Sequence, residues 1–195
     1  MILLVMVLVI PFVVFGGKLL TILTSDRKLN LLTAGLSSYG GAIGLITAIL
    51  IFEKMTNNKE IKTGFILSLP LMYSISKLGC FFAGCCHGIK YNGLFSVSYP
   101  HLYDYSVFPV QLLESIIFFI IFIGINIFYK KYQSKNIIEY TVLISALAKF
   151  LLDYLRYSHI NQILSINQII SLVLVVVSLI ILSYKKKTSK SHNKC

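Results

Sequence analysis

Charged side chains are scarce in this 195-residue sequence, at 13% of the total, whereas an ordinary soluble domain has about 25%. Hydrophobic residues make up 56%, and the mean hydropathy is +0.81. These values exclude a soluble globular domain and a disordered tail. The net charge is +11, but we expect no nucleic-acid partner because the apolar residues form long blocks. The fold is therefore one in which the bilayer acts as solvent.

The sequence also lacks the cysteine framework of a small secreted protein and the marks of a signal peptide. Three of its four cysteines cluster, at Cys80, Cys85 and Cys86, and the fourth is Cys195. Such spacing is not that of a disulfide scaffold. The apolar segment 1–23 has neither a basic n-region nor a persuasive small-residue cleavage site, so we expect an uncleaved membrane span.

Six apolar blocks are each long enough, at about 20 residues, to cross a bilayer as a helix. They lie at about 2–24, 33–52, 63–86, 109–129, 138–157 and 164–184. The predicted fold is an all-α polytopic membrane protein, a bundle of about six transmembrane helices in one domain over 1–184, followed by a basic tail at 185–195. The connection over 87–108 is long, and such loops are often functional.

The charges of the loops predict the orientation of this bundle. Six spans place both termini on one side, whose loops and tail hold eleven cations, against four on the other side. The positive-inside rule assigns the richer side to the cytoplasm. We therefore expect a multi-pass plasma-membrane protein with both termini inside and a cytoplasmic tail.

Six charged residues within the predicted spans fall in the outer half of the membrane. They are Lys18, Lys77, Glu114, Lys149, Asp153 and Arg156. An ionisable side chain inside a membrane helix costs a few kcal/mol and marks a functional site by default. Lys149, Asp153 and Arg156 have the spacing of one helix face, and Tyr73 and Lys77 are also four residues apart. This pattern predicts one polar chamber that opens outward.

Helix packing is the structural alternative for these charges. Lys149 and Arg156 can each pair with Asp153 merely to fix helix contacts, and Lys18 and Arg156 can extend to the interface. Six charges at one depth favour a site over packing alone.

Cations outnumber carboxylates in the predicted chamber by four to two. An excess of buried positive charge needs an anion, and at outer-leaflet depth the abundant anion is a phospholipid phosphate. Arginine binds phosphate through two parallel hydrogen bonds, whereas lysine acts as a point charge. The chamber is therefore predicted to hold a lipid phosphate, with Tyr39, Glu114 and Asp153 as bases or orienting groups.

Six short motifs follow one another along the chain. They are Gly-Gly-Lys-Leu at 16–19, Tyr-Gly-Gly at 39–41, Ser-Lys-Leu-Gly-Cys-Phe at 76–81, Gln-Leu-Leu-Glu at 111–114, Lys-Phe-Leu-Leu-Asp-Tyr-Leu-Arg at 149–156 and Ser-Ile-Asn-Gln-Ile-Ile-Ser at 165–171. In this order they resemble the motifs of the bacterial prolipoprotein diacylglyceryl transferases. Each motif is weak alone, and the ordered series is specific.

This resemblance implies a membrane transferase of lipoprotein biosynthesis. The family moves a diacylglyceryl group from phosphatidylglycerol to a cysteine thiol of a prolipoprotein and releases glycerol phosphate. The implied partners are phosphatidylglycerol and a lipoprotein precursor, and we expect no cofactor. The family fold has seven helices, of which this chain is expected to lack the first, in agreement with a cytoplasmic N-terminus.

The motifs also assign candidate roles. The candidate catalytic residues are Tyr39, Lys77, Glu114, Asp153 and Arg156. The candidate residues for the lipid phosphate and head group are Lys18, Gly40, Gly41, Lys77, Gln111, Lys149, Asn167 and Gln168.

The chain departs from the family pattern at several of these positions. Family arginines are replaced by Lys18, Lys77 and Lys149, which keep the charge but lose the bidentate fork. A family glutamate is Asp153, and the histidine before Gly-Gly is Tyr39, whose pKa in solution is about 10. The fold is therefore expected to carry over more securely than the activity.

Two other function classes stay open at this point. One is a non-catalytic or differently specific phospholipid-binding protein of the same fold. The other is a membrane thiol redox protein that uses Cys85 and Cys86. Zinc ligation by the three clustered cysteines and His87 is disfavoured because adjacent cysteines chelate poorly. We expect these side chains to pack tightly at a helix end and to bind no metal.

Overall fold

The computed structural model describes residues 2–24, 30, 38–56, 59–157 and 163–192. Within these ranges the chain forms six helices and a two-stranded antiparallel sheet. The elements are α1 (Ile2–Thr24), α2 (Ser38–Thr56), α3 (Lys59–Phe82), β1 (Val97–Ser98), β2 (Ser106–Val107), α4 (Val110–Tyr132), α5 (Ile137–Asp153) and α6 (Ile166–His192). The predicted all-α class is confirmed.

Three helical segments are long and apolar enough to cross a membrane. They are Lys62–Phe82, Val110–Tyr132 and Ile166–Lys187, and Val9–Leu23 is a shorter apolar helix. The protein is therefore an α-helical membrane protein. The sidedness of its termini stays a prediction.

Several helix ends differ from the predicted spans. The third helix ends at Phe82 rather than 86, because Gly84 turns the chain with a φ of +68°. The fifth ends at Asp153 rather than 157, because its last residues pair with a loop instead. The sixth continues beyond Tyr184 into the basic tail, where lysine is a good helix former.

The described chain divides into two compact units, Met1–Phe65 and Ile66–Cys195. In the first unit α1 and α2 pack closely through glycine. A Cβ atom on Gly40 would collide with the carbonyl oxygen of Gly16, and one on Gly44 would collide with that of Phe12. Small residues allow such close backbone approach between membrane helices.

The second unit has a polar interior and an apolar surface. The largest side chains that are fully buried include Gln111, Glu114 and Gln168. Apolar residues of α6 are exposed instead, and Ile180 has 62% of its surface accessible. This distribution suits a bilayer, in which lipid solvates the apolar exterior and polar groups must find partners inside.

The connection between α3 and α4 contains the small sheet, in which Val97 pairs with Val107 and Ser98 with Ser106. Strands of two residues leave no alternating pattern in a sequence, so none was predicted here. The same connection reaches the end of α5, where the N–H of Ile89 donates to the carbonyl oxygen of Leu155 at 3.1 Å. This long loop is therefore ordered against the helix that carries Lys149 and Asp153.

Candidate active site

Glu114 is the centre of a charged cluster in the second unit. It lies in the first turns of α4, and its side chain is fully buried. Lys149 Nζ is 2.6 Å from Oε1, and Lys77 Nζ is 3.0 Å from Oε2. Nη2 of Arg156 donates to both carboxylate oxygens, at 3.2 and 3.0 Å. One carboxylate thus orients three cations that come from different parts of the chain.

Tyr73 completes the surroundings of this carboxylate. Its hydroxyl donates to Glu114 Oε1 at 3.2 Å. Its ring lies 5.1 Å from Lys77 Nζ and 5.4 Å from Lys149 Nζ, within the range of cation–π attraction. Tyr73 was not among the candidate site residues, although its spacing from Lys77 on one helix face indicated the contact.

Asp153 is a second carboxylate in the cluster and joins α5 to α6. Lys149 Nζ and Arg156 Nε lie 3.6 and 3.5 Å from its Oδ1. The hydroxyl of Ser165 donates to Oδ2, and Asn167 Nδ2 donates to Oδ1 at 3.4 Å. Ser165 was also missed as a site residue, although it begins a recognised motif.

Ser165 and Gln168 also form a capping box at the start of α6. The N–H of Gln168 donates to Ser165 Oγ at 3.1 Å, and the N–H of Ser165 donates to Gln168 Oε1 at 3.0 Å. The pattern Ser-x-x-Gln is the sequence signature of this motif. Gln168 Nε2 donates to the carbonyl oxygen of Phe150 at 3.4 Å. The oxygen and the nitrogen of the Gln168 side-chain amide therefore both make hydrogen bonds within the protein. The contact of Gln168 with substrate stays a prediction.

Two buried polar atoms in this region lack a hydrogen-bond partner among the described residues. They are Gln111 Oε1 and Arg156 Nε. Gln111 donates through Nε2 to the carbonyl oxygen of Cys85 at 2.7 Å, and Arg156 Nε has only its ion pair with Asp153. A buried polar atom without a partner costs about 1–3 kcal/mol. Gln111 Oε1 is therefore available to accept a hydrogen bond from a bound ligand, and Arg156 Nε is available to donate one.

Arg156 is placed by loop pairing and not by a helix. It forms an isolated antiparallel bridge with Gly88, and the N–H of Tyr157 donates to the carbonyl oxygen of His87 at 3.2 Å. A Cβ atom on Gly88 would press on backbone carbonyl oxygens on both sides, including that of Leu155. Glycine is therefore needed at position 88 for the loop to approach the chain that carries Arg156.

The cluster in the second unit contains an excess of positive charge. Lys77, Lys149 and Arg156 face the two carboxylates of Glu114 and Asp153, which gives a net charge of +1. The three cationic side chains keep 7–18% of their surface accessible, whereas that of Glu114 keeps none. The carboxylate of Glu114 is therefore buried behind three cations that keep some accessible surface.

A family model described as prolipoprotein diacylglyceryl transferase matches residues 1–184. The chain belongs to the prolipoprotein diacylglyceryl transferase family. The predicted resemblance is thereby confirmed over most of the sequence.

Curated relatives with the name phosphatidylglycerol–prolipoprotein diacylglyceryl transferase match the same chain. The protein of Clostridioides difficile is 33% identical over 84% of this chain and 66% of its own length. That of Clostridium tetani is 25% identical over 86% and 74%, and that of Chlamydia pneumoniae is 27% identical over 94% and 72%. The chain therefore spans about two thirds to three quarters of these relatives.

The remaining candidate residues of this family member lie in the first unit. Lys18 is in α1, and Gly40 and Gly41 are in α2, where Gly40 contacts Gly16. The backbone of Tyr39 is also in α2, but its side chain lies outside the described part of the protein. The structure describes each unit by itself, so the part that these four residues play in the site stays a prediction.

The cysteines of this family member form a separate cluster beyond the end of α3. Cys80, Cys85 and Cys86 are free thiols, and Cys85 and Cys86 are exposed. Partial desolvation, with smaller contributions from the neighbouring thiols of Cys80 and Cys86, raises the pKa of Cys85 to about 11. The thiol is therefore protonated at neutral pH, unlike the thiolates of redox proteins. His87 is buried among the rings of Tyr103 and other tyrosines instead of extending toward the sulfurs.

Proposed function

We propose that this chain transfers a diacylglyceryl group from phosphatidylglycerol to the cysteine thiol of a prolipoprotein. The reaction takes place at the outer leaflet of a bacterial plasma membrane. The chain crosses this membrane several times as one domain over 1–184, with both termini and the tail at 185–195 in the cytoplasm. Membership of the family and the names of the relatives support this activity.

The observation that carries the proposal is the cationic cluster around Glu114. A phosphate between Lys77, Lys149 and Arg156 would offset the net charge of +1. Its oxygens would also accept a hydrogen bond from Arg156 Nε, which has no such partner among the described residues. These donors are held in place before the lipid arrives, and pre-oriented donors stabilise developing charge most effectively.

The proposed chemistry is a single displacement. The thiolate sulfur attacks the carbon of the diacylglyceryl group that bears the phosphate ester. A carbon–sulfur bond forms as the bond between this carbon and the phosphate oxygen breaks. The electron pair of that bond leaves on the phosphate oxygen, and glycerol phosphate is released. The three cations stabilise this leaving group, while Glu114 and Asp153 hold the cations in position.

The remaining candidate residues serve the two substrates. Gln111 Oε1, which lacks a partner among the described residues, accepts a hydrogen bond from a glycerol hydroxyl or from the incoming thiol. Tyr39 hydrogen-bonds the head group, and Glu114 or Asp153 accepts the thiol proton. In this proposal Lys18, Gly40 and Gly41 approach the phosphate, and Asn167 and Gln168 line the predicted polar chamber.

A transfer assay tests the proposal. The purified full chain is incubated with labelled phosphatidylglycerol and a peptide that contains a lipobox cysteine, and thioether-linked peptide and glycerol phosphate are measured. Lys77→Ala is expected to lower turnover by a factor of about 10²–10³, the usual effect of removing one such charge stabiliser. The matched control is Lys90→Ala, because Lys90 lies over the ring of Tyr105, at 4.3 Å, and outside the cluster.

The proposal fails if no thioether product forms under conditions in which the Clostridioides difficile relative produces one. Binding of phosphatidylglycerol without transfer, weakened by Lys77→Ala, would identify a non-catalytic phospholipid-binding protein instead. Equal turnover in the Lys77→Ala and Lys90→Ala variants would remove the phosphate role from the cluster.

A further inference from the structure

Three sulfur atoms come together at the turn that follows α3. Cys80 lies in the last turn of the helix, and Cys85 and Cys86 lie beyond its end. Their Sγ atoms are all within 4.8 Å of one another. The adjacent spacing of Cys85 and Cys86 disfavours a chelate by itself, but the turn adds Cys80 as a third sulfur.

The backbone of this turn is held in a conformation that brings the sulfurs together. Gly84 and Cys86 both have positive φ, at +68° and +56°, and the left-handed region costs a residue with a side chain about 1–2 kcal/mol. The N–H of Cys85 donates to the carbonyl oxygen of Cys80 at 3.2 Å. Gln111 Nε2 holds the carbonyl oxygen of Cys85 from α4 at 2.7 Å.

The exposure of the thiols argues against a packing role. Tight packing at a helix end would bury them, whereas Cys85 and Cys86 are exposed and Cys80 is only partly buried. A disulfide would use only two of the three sulfurs. A strained turn that presents three sulfurs to the surface is better explained by a ligand that all three share.

The donor set determines which ligand fits. The group that the structure brings together consists of sulfur alone, without histidine or carboxylate among the described residues. Soft thiolates bind Cu(I), zinc and iron–sulfur clusters, but structural zinc and the common clusters take four protein ligands, so a set of three sulfurs fits Cu(I) best. We propose that Cys80, Cys85 and Cys86 bind a single Cu(I) ion in a three-sulfur site. The thiol protons pass to solvent as the metal–sulfur bonds form.

Metal titration of the full chain in detergent tests this inference independently of lipid transfer. The reduced protein is titrated anaerobically with Cu(I) against a chromogenic Cu(I) chelator, and X-ray absorption identifies the ligand atoms. One Cu(I) per chain with a first shell of three sulfurs is expected. Cys80→Ser, Cys85→Ser and Cys86→Ser are each expected to weaken binding at least tenfold, because each removes one of three ligands.

The matched control is Cys195→Ser, which removes the remaining cysteine of the sequence. It is expected to leave the stoichiometry and the affinity unchanged. The proposal is overturned if Cu(I) does not compete with the chelator, if Cys195→Ser abolishes binding, or if the three cluster variants bind as the parent does. Preferential binding of Zn(II) would also overturn it, because that ion requires a fourth ligand. Circular dichroism of each variant confirms that its helices are retained.

Discussion

The substitution Glu114→Gln tests whether one carboxylate holds the cationic cluster together. Glutamine keeps the size of the side chain and removes its charge. The carboxylate is fully buried and contacts Lys77, Lys149 and Arg156 at 2.6–3.2 Å. With Asp153 as the remaining carboxylate, the net charge of the cluster would rise from +1 to +2.

The expected loss of stability follows from the burial of these charges. Removing one partner of a buried ion pair costs about 3–5 kcal/mol, because it leaves the other charge without compensation. Glu114 has three such partners, so the upper part of this range applies. For a loss of about 4–5 kcal/mol and about 2–4 °C per kcal/mol for a chain of this size, the midpoint of thermal unfolding is expected to fall by roughly 8–20 °C.

Thermal unfolding of the full chain in detergent, followed by circular dichroism, measures this loss. The matched control is Glu53→Gln, which breaks the pair between Glu53 and Lys62 at 3.1 Å with side chains that are 25% and 35% exposed. A surface pair contributes about 0–1 kcal/mol. A double variant, Glu114→Gln with Lys149→Met, removes one uncompensated charge and should recover part of the loss.

The interpretation is refuted if Glu114→Gln unfolds within about 1 kcal/mol of the parent, as a surface variant would. It is also refuted if the double variant is less stable than Glu114→Gln alone. Either result would show that the three cations do not depend on this carboxylate in the folded protein.

Three further substitutions test how local structure supports the fold and the site. Ser165→Ala removes a helix cap and should lower the free energy of unfolding by about 0.5–2 kcal/mol, as measured by thermal unfolding. Its control, Ser171→Ala, removes only a hydrogen bond to the carbonyl oxygen of Asn167 in the preceding turn and should lower it by less. Gly88→Ala forces the loop away from the chain that carries Arg156 and should lower the rate of lipid transfer by up to about 10²-fold. Its control, Gly79→Ala, adds a methyl group in open space and should leave the rate unchanged. Gly40→Val overfills the contact between α1 and α2 and should destabilise the fold by about 1–3 kcal/mol, as unfolding in detergent would show. Unchanged stability or transfer in these variants would contradict the packing described for each position.

The helices were predictable because long apolar blocks carry a strong signal. The span 2–24 coincides with α1. The ends of α3 and α5 were not predictable, because they depend on tertiary contacts. The chain leaves the helix near Arg156 to pair with Gly88, which is 68 residues away in sequence, and no local pattern records that pairing.

The residues of the charged cluster were suggested by depth and helical spacing. The structure brings Lys77, Glu114, Lys149, Asp153 and Arg156 into contact. The contacts made by neutral residues were harder to predict, because a serine or a tyrosine in a membrane helix does not mark a functional site as a charged residue does. The hydroxyls of Tyr73 and Ser165 become significant only once their carboxylate partners are located.

The geometry of the cluster explains how it can contain lysine where the family has arginine. Each of Lys77 and Lys149 contacts one oxygen of Glu114 as a point charge, and a point charge is what lysine supplies. Arg156 behaves differently, because Nη2 is used on both carboxylate oxygens while Nε has no hydrogen-bond partner among the described residues. Only a guanidinium can hold a buried carboxylate with one nitrogen and still offer a directed donor to a phosphate with another. We therefore infer that charge alone is required at positions 77 and 149, whereas the directional requirement of the phosphate site rests on Arg156.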